Sequence, residues 1–440
     1  MKPTALIYCD RASAVTEMAA LAEGLVRDGR FKPVLFLGKN LTPSELAPFG
    51  DIERAIAPLE GPARWAGIGR LSVYYALPRI AGILHKRAGD YADAAIRLKI
   101  FKATAEKIIK KLNPSIVIIP DDRIMRYNLG LILAARAHNL PVVLVPFAMS
   151  DPIWEASSRL ARGIAVEPSV TNYFPTNIFR MPDGRQTMFY GAGQAKALID
   201  AGLTFTTPWL VGGGDIDAIC VTSSAHQATL INGHIPKDRI HLTGRPSADP
   251  FFNELSTREE KRQDLCHRYN IDMNQKIIAF NPPTYGEVGL MDKSTAINYI
   301  RSICTALKPY NKRTVVSLHP RMEYKNYRWI ESEFGLPITD QPIREYICAI
   351  DILVSYLSSI NLWAANLHIP VVQLNGVGHP DTAYTSLPGV VPATPETLPE
   401  ALSQVIETHI DYDAFENTLG PFDGQCTKRI ADVLEHLAKI

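Results

Sequence analysis

Several short segments of this chain carry residue types that bind phosphate or move protons. His319-Pro320-Arg321 combines an imidazole, a residue that fixes the turn and a planar cationic fork. Ser358 and Ser359 stand side by side just ahead of I-N-L-W-A-A-N-L, a helical pattern; there a hydroxyl either caps the helix or meets a bound anion. Thr284 lies in the loop N-P-P-T-Y-G at 281–286, where its hydroxyl or the loop amides could touch a ligand. Arg245 sits in the turn T-G-R-P at 243–246. Carboxylates fit for general-base work occur at Asp121-Asp122 and at Asp10, with Asp151 and Glu155 as rivals. Structural roles are open to each of them: strand ends and helix starts use His, Ser and Asp as caps.

Most of these positions lie at or just beyond the end of a predicted strand, which is where open α/β sheets bind ligands. Apolar runs at 4–9, 32–37, 115–120 and 141–145 alternate with helical patterns, and so do runs at 218–221, 240–242, 276–280, 313–318, 352–354 and 371–374. The alternation predicts an α/β protein with two doubly wound, Rossmann-like domains facing a cleft. The expected division is an acceptor-side domain over 1–205 and a nucleotide-binding domain over 206–405, followed by terminal helices over 406–440. The breakers T-T-P-W-L-V-G-G-G-D at 206–215 mark the boundary, and 151–205 has no regular pattern.

The chain has 440 residues, with 46 Lys and Arg against 45 Asp and Glu, a length for two or three domains and a balance that argues against a nucleic-acid binder. Cysteines occur singly at 9, 220, 266, 304, 348 and 426, so neither a disulfide framework nor structural zinc is expected. No run is long enough for a membrane span and the N-terminal apolar run is too short for a signal peptide, so a cytoplasmic location is expected. Residues 62–102 are an exception to the even charge: eight Lys or Arg stand against two Asp, interleaved with apolar and aromatic residues. Such a basic helical insertion either lies on an anionic membrane or packs as ordinary helices with solvated basic faces.

The order T-G-R-P-S-A-D-P (243–250), N-P-P-T-Y-G (281–286), S-L-H-P-R (317–321), A-I-D-I-L-V-S-Y-L-S-S-I-N-L-W-A-A (349–365) and I-P-V-V-Q-L (369–374) resembles the nucleotide-binding domain of GT-B glycosyltransferases, over about 215–385. Within that superfamily it is similar to the bacterial sialyltransferase and Kdo-transferase group, and also to the UDP-GlcNAc 2-epimerase group. The resemblance implies that His319, Ser358 and Ser359 hold a donor phosphate, with Pro320 fixing the turn, Arg321 or Arg245 assisting and the nucleobase near 336–343. It implies a general base from the first domain, with Asp121 and Asp122 resembling the acidic pair of the sialyltransferases. There the pair precedes Gly; here Arg123 follows. The G-T-R-P-E and A-G-L-R segments of the epimerases are missing.

The expected activity is therefore an inverting, metal-independent glycosyl transfer, with no cofactor and no D-x-D at a strand end. The donor would be a CMP- or UDP-linked sugar and the acceptor a glycan or lipid-linked acceptor of bacterial surface polysaccharide or glycoconjugate assembly. The alternatives are a UDP-GlcNAc 2-epimerase-like isomerase or hydrolase, and a non-catalytic nucleotide-sugar-binding protein.

Overall fold

A computed structural model of the chain describes residues 2–38, 41–56, 86–147, 151–172, 174–376, 384, 385, 387, 389–407 and 416–439. It divides into two compact units, one formed by Met1–Asp249 with Gln425–Ile440 and the other by Pro250–Gly424.

The first unit is built on a parallel sheet of order β3-β2-β1-β4-β5-β8-β9. Its strands are β1 (Thr4–Cys9), β2 (Lys32–Leu37), β3 (Arg54–Ile56), β4 (Ile116–Ile119), β5 (Val142–Leu144), β8 (Ala218–Val221) and β9 (Ile240–Leu242). Apart from Thr4 at the start of β1, the central strands β1, β4 and β5 are apolar, because both faces are covered. Leu6, Tyr8, Val117 and Ile119 join one core, whereas Ala5, Ile7, Cys9, Ile116 and Ile118 join the other. Helices Lys86–Leu112, Tyr127–Ala137 and Ala192–Asp200 supply residues to the first core, and Ala12–Asp28 and Cys426–Ala438 to the second.

Helix Lys86–Leu112 buries a stripe of Ala94, Leu98, Phe101, Ala105 and Ile109, spaced as an amphipathic helix requires. It holds the end of the expected basic insertion; residues 57–85 lie outside the described residues. The stretch 151–205 contains helix Pro152–Ala161, an antiparallel hairpin of β6 (Ile178–Arg180) and β7 (Gln186–Met188), and helix Ala192–Asp200.

Two features differ from the sequence expectation. Strands β8 and β9 were expected to open the second domain, yet β8 pairs with β5, setting Val143 against Ala218. Ile219 and Val221 thereby fill the first unit's core. The terminal helix is not a separate segment either: it packs on helix Ala12–Asp28, with Ile430, Ala431 and Leu434 in the same core. Gly24 permits that approach, since a Cβ there would lie 2.5 Å from the Thr427 side chain. Asp249 secures the helix start, its carboxylate accepting from the amides of Cys426 at 2.8 Å and Thr427 at 2.7 Å.

The second unit has a parallel sheet of order β11-β10-β12-β13-β14, with β10 (Ile278–Phe280), β11 (Thr314–Val316), β12 (Ile352–Ser355), β13 (Val371–Leu374) and β14 (Val390–Ala393). Phe280 registers with Val316 on one side and Val354 on the other, so the loops after these strands leave from one edge. Among the described residues no helix is long and apolar enough to cross a membrane.

Candidate functional site

In the second unit the loop after β10 is fixed to both neighbours. The Asn281 amide donates to the Val354 carbonyl at 2.8 Å, and its side-chain Nδ2 to the Ser317 carbonyl at 2.8 Å. Thr284, buried, exchanges a hydrogen bond of 3.0 Å with the Tyr356 hydroxyl in the loop after β12. Tyr356 packs edge-on against Tyr285, and its carbonyl accepts from Asn361 Nδ2 at 3.0 Å. His319 on the β11 side and Ser358 and Ser359 on the β12 side thus flank a braced β10 loop. Two strand spacings separate the flanks, about 10 Å.

The chemistry of each flank follows from its hydrogen bonds. His319 Nδ1 accepts from the Arg321 amide at 3.1 Å. Burial, and after it the Arg321 charge, hold the imidazole below its usual pKa, so the ring is neutral at pH 7. A neutral ring that accepts at Nδ1 carries its proton on Nε2, which is therefore a donor. Ser359 occupies the N-cap of helix Ile360–Asn366 but makes no side-chain cap bond. Neither the Ser358 nor the Ser359 hydroxyl has a hydrogen-bond partner among the described residues. Pro320 and Arg321, which follow His319 in the chain, are exposed. Segment 337–339, where the nucleobase was expected, lies along β11: the Val316 amide donates to the Pro337 carbonyl and the Thr339 amide to the Val316 carbonyl, each at 2.8 Å.

Arg245 is elsewhere. It follows β9 in the first unit and is buried against Glu17, with Nη2 2.7 Å from Oε1. Glu17 also accepts from the Ser247 amide at 3.1 Å and its hydroxyl at 2.7 Å, and Arg245 Nη2 donates to the Phe147 carbonyl at 3.2 Å. The turn T-G-R-P therefore braces the first unit through a carboxylate on helix Ala12–Asp28. Glu17 had one sequence signal: a charge on the otherwise apolar face of that helix.

The expected carboxylates gather at the same edge of the first sheet. Asp121 Oδ1 accepts from the amides of Arg123 at 2.7 Å and Ile124 at 3.2 Å, which shapes the turn after β4. Asp122 is fully buried and accepts from the amides of Gly212 at 2.9 Å and Gly214 at 2.6 Å. Burial, and secondly the charge of Asp121, push its pKa up to about 6, against the glycine amides that favour the ionised form. Gly212 has φ +100°, so the G-G-G loop reaches Asp122 in a conformation that glycine adopts freely. Asp10, at the end of β1, is paired with Arg11 Nε and Arg126 Nη1, each at 3.2 Å. Of the rivals, Asp151 caps helix Pro152–Ala161 and Glu155 pairs with Arg159 at 3.0 Å.

Residues 216–414 match the family model described as CDP-Glycerol:Poly(glycerophosphate) glycerophosphotransferase. A search of curated proteins gave no significant match. Solved structures are similar over nearly the whole chain. UDP-GlcNAc 2-epimerase from Neisseria meningitidis bound to UDP-GlcNAc aligns with TM-score 0.54 and 14% identity, covering 98% of this chain and 100% of that one. The epimerase from Methanocaldococcus jannaschii aligns with TM-score 0.54 and 13% identity, covering 99% and 100%. A glycosyltransferase from Rickettsia africae aligns with TM-score 0.52 and 15% identity, covering 100% and 99%. At such identities the likeness establishes the fold: two Rossmann-like units of the GT-B class. The matched family model is that of a transferase, in accord with the transferase expected from the motifs.

Proposed function

We propose that this chain is a nucleotide-dependent transferase of cell-surface polymer assembly, acting by direct displacement without a metal ion. The donor is cytidine-linked, in keeping with the serine pair and the matched glycerophosphotransferase model, and the transferred group is a sugar or a glycerol phosphate. An acceptor hydroxyl forms the new bond to the anomeric carbon or the phosphorus, the bond from that atom to the nucleotide oxygen breaks, and the nucleotide departs with the electron pair. The observation that carries this reading is the donor set around the β10 loop: His319 Nε2–H and the uncommitted hydroxyls of Ser358 and Ser359. Such groups oppose the negative charge that grows on the departing phosphate. Thr284 and Tyr356 give the loop its shape, and Arg321 adds a cation at the rim.

The proton of the acceptor hydroxyl must go to a base. Backbone amides fill the oxygens of Asp122 and one oxygen of Asp121, which gives those residues a shaping role first. Asp10 is held by side chains, which can swing, and is the base in this reading. The acceptor is lipid-linked and the enzyme works against an anionic membrane, with Arg97, Lys99, Lys107, Lys110 and Lys111 exposed on one basic helix. Charge reversal at Lys107, Lys110 and Lys111 is expected to reduce partition onto vesicles containing anionic lipid; equal partition would remove the membrane from the reading.

The decisive experiment is a thermal-shift screen of the full chain against CMP, CDP, UDP, GDP and TDP, followed by product analysis with the matching donor. A ligand that binds the native state raises the melting temperature by mass action. Stabilisation by CMP and CDP alone is expected. Selective stabilisation by UDP, with epimer or free sugar formed from UDP-GlcNAc in the absence of acceptor, would overturn the transferase reading in favour of an isomerase or hydrolase.

A further inference from the structure

The first unit has a polar edge of its own, and its charges are sorted by depth. Glu17, Asp121 and Asp122 are buried at 2%, 1% and 0% exposure, and Asp10 at 6%. Two of the guanidiniums in contact with this edge are more open: the Arg11 side chain is 19% exposed and that of Arg126 is 41% exposed. An approaching molecule therefore meets cations, with the balancing carboxylates behind them.

These two arginines are held in place. Asp10 bridges them, one oxygen to Arg11 and the other to Arg126. The Arg11 guanidinium lies 5.2 Å from the centroid of the Phe147 ring. Phe147 is anchored in turn by the bond from Arg245, which Glu17 fixes from beneath. Arg11 spends Nε on Asp10, while its Nη2 is buried without a hydrogen-bond partner among the described residues. A buried donor left unmade costs free energy that an entering acceptor atom recovers.

We infer that Arg11 and Arg126 form a subsite for a phosphate group of the acceptor, so that this enzyme extends a phosphate-bearing chain. The inference rests on the transferase reading above. Two guanidiniums on a shared carboxylate present planar donor edges suited to a phosphate, which accepts from both at once. A phosphate there competes with Asp10 for the same N–H groups, which loosens the Asp10 pairs as the acceptor arrives. The subsite thus links acceptor binding to the freeing of the proposed base.

The test is calorimetric titration of the full chain with inorganic phosphate, glycerol 3-phosphate and glycerol, with CMP titrated separately. Phosphate and glycerol 3-phosphate are expected to bind and glycerol not to. Arg126→Gln, at a half-exposed position, is expected to weaken phosphate binding about tenfold or more, the loss of one charged hydrogen bond, and to leave CMP binding unchanged. Arg11→Gln is a second variant with the same expected outcome. Phosphate binding equal in wild type and both variants would overturn the subsite, as would its absence in the wild type. Phosphate binding that depends on Arg126 in a chain that binds no nucleotide would support the subsite and remove the donor reading instead.

Discussion

The two sheet edges of this molecule use their polar groups in opposite ways. At the first unit's edge the carboxylates are committed to neighbours: Asp121 and Asp122 to backbone amides, Glu17 to Arg245 and Ser247, Asp10 to Arg11 and Arg126. At the second unit's edge the groups with phosphate chemistry are left open, as His319 Nε2 and the Ser358 and Ser359 hydroxyls illustrate. Committed carboxylates hold the first edge in shape, whereas uncommitted groups at the second leave hydrogen-bonding capacity unspent. The contrast teaches that similar residue types at similar strand ends do different work, and that hydrogen-bond bookkeeping separates the two.

Substitutions break or sharpen this comparison, because removing a committed carboxylate should lower stability and removing an uncommitted group only affinity. Glu17→Ala leaves Arg245 buried without its partner and is expected to cost roughly 3–5 kcal/mol in urea denaturation. A loss below 1 kcal/mol, of the size seen for exposed pairs, would show that the first edge is not committed as described.

Asp122 gives the next effect, as a dependence on pH. Its folded pKa of about 6 lies above its ordinary value of 3.8, so between these the folded state holds a proton that the unfolded state has released. Its favourable contribution is whole below pH 4 and fades as pH rises through 6. Relative to Asp122→Asn, wild-type stability is expected to fall by at most about 3 kcal/mol from pH 4 to 7. A flat difference across that range would place Asp122 in a wetter setting.

The smallest stability effect belongs to the open edge. His319→Ala, Ser358→Ala and Ser359→Ala are each expected to change stability by no more than about 0.5 kcal/mol. His319→Ala should weaken nucleotide binding about tenfold, and each serine change by a few-fold. Unchanged binding in the His319 variant would take that residue out of the site.

Much of this organisation was legible in the sequence because buried parallel strands read as unbroken apolar runs. The strands at 4–9, 32–37, 116–119 and 352–355 fall where such runs occur. The placement of His319 after β11 and of Ser358 and Ser359 after β12 was legible for the same reason, since a strand end locates them. What escaped depends on distant partners. Nothing local to A-I-C-V at 218–221 tells which sheet it will extend; its neighbour β5, with Val143 opposite Ala218, lies far off in the chain. Arg245 reads as a free cation until Glu17, 228 positions away, is placed beneath it. Strand Arg54–Ile56 is too short, and too charged at its start, to rise above the loops around it.

The return of the last helix to the first unit bears on how the chain is made. Ile430, Ala431 and Leu434 complete a core begun by Ala5 and Ile7, so that core stays unfinished until synthesis has passed residue 434. Domains folding as they emerge usually do so from the N-terminus. Here the second unit, a continuous stretch, is free to fold while the first still waits for its closing helix. Removing helix Cys426–Ala438 would expose the apolar surface that Ile430, Ala431 and Leu434 cover, so its loss is a change to the first unit's core.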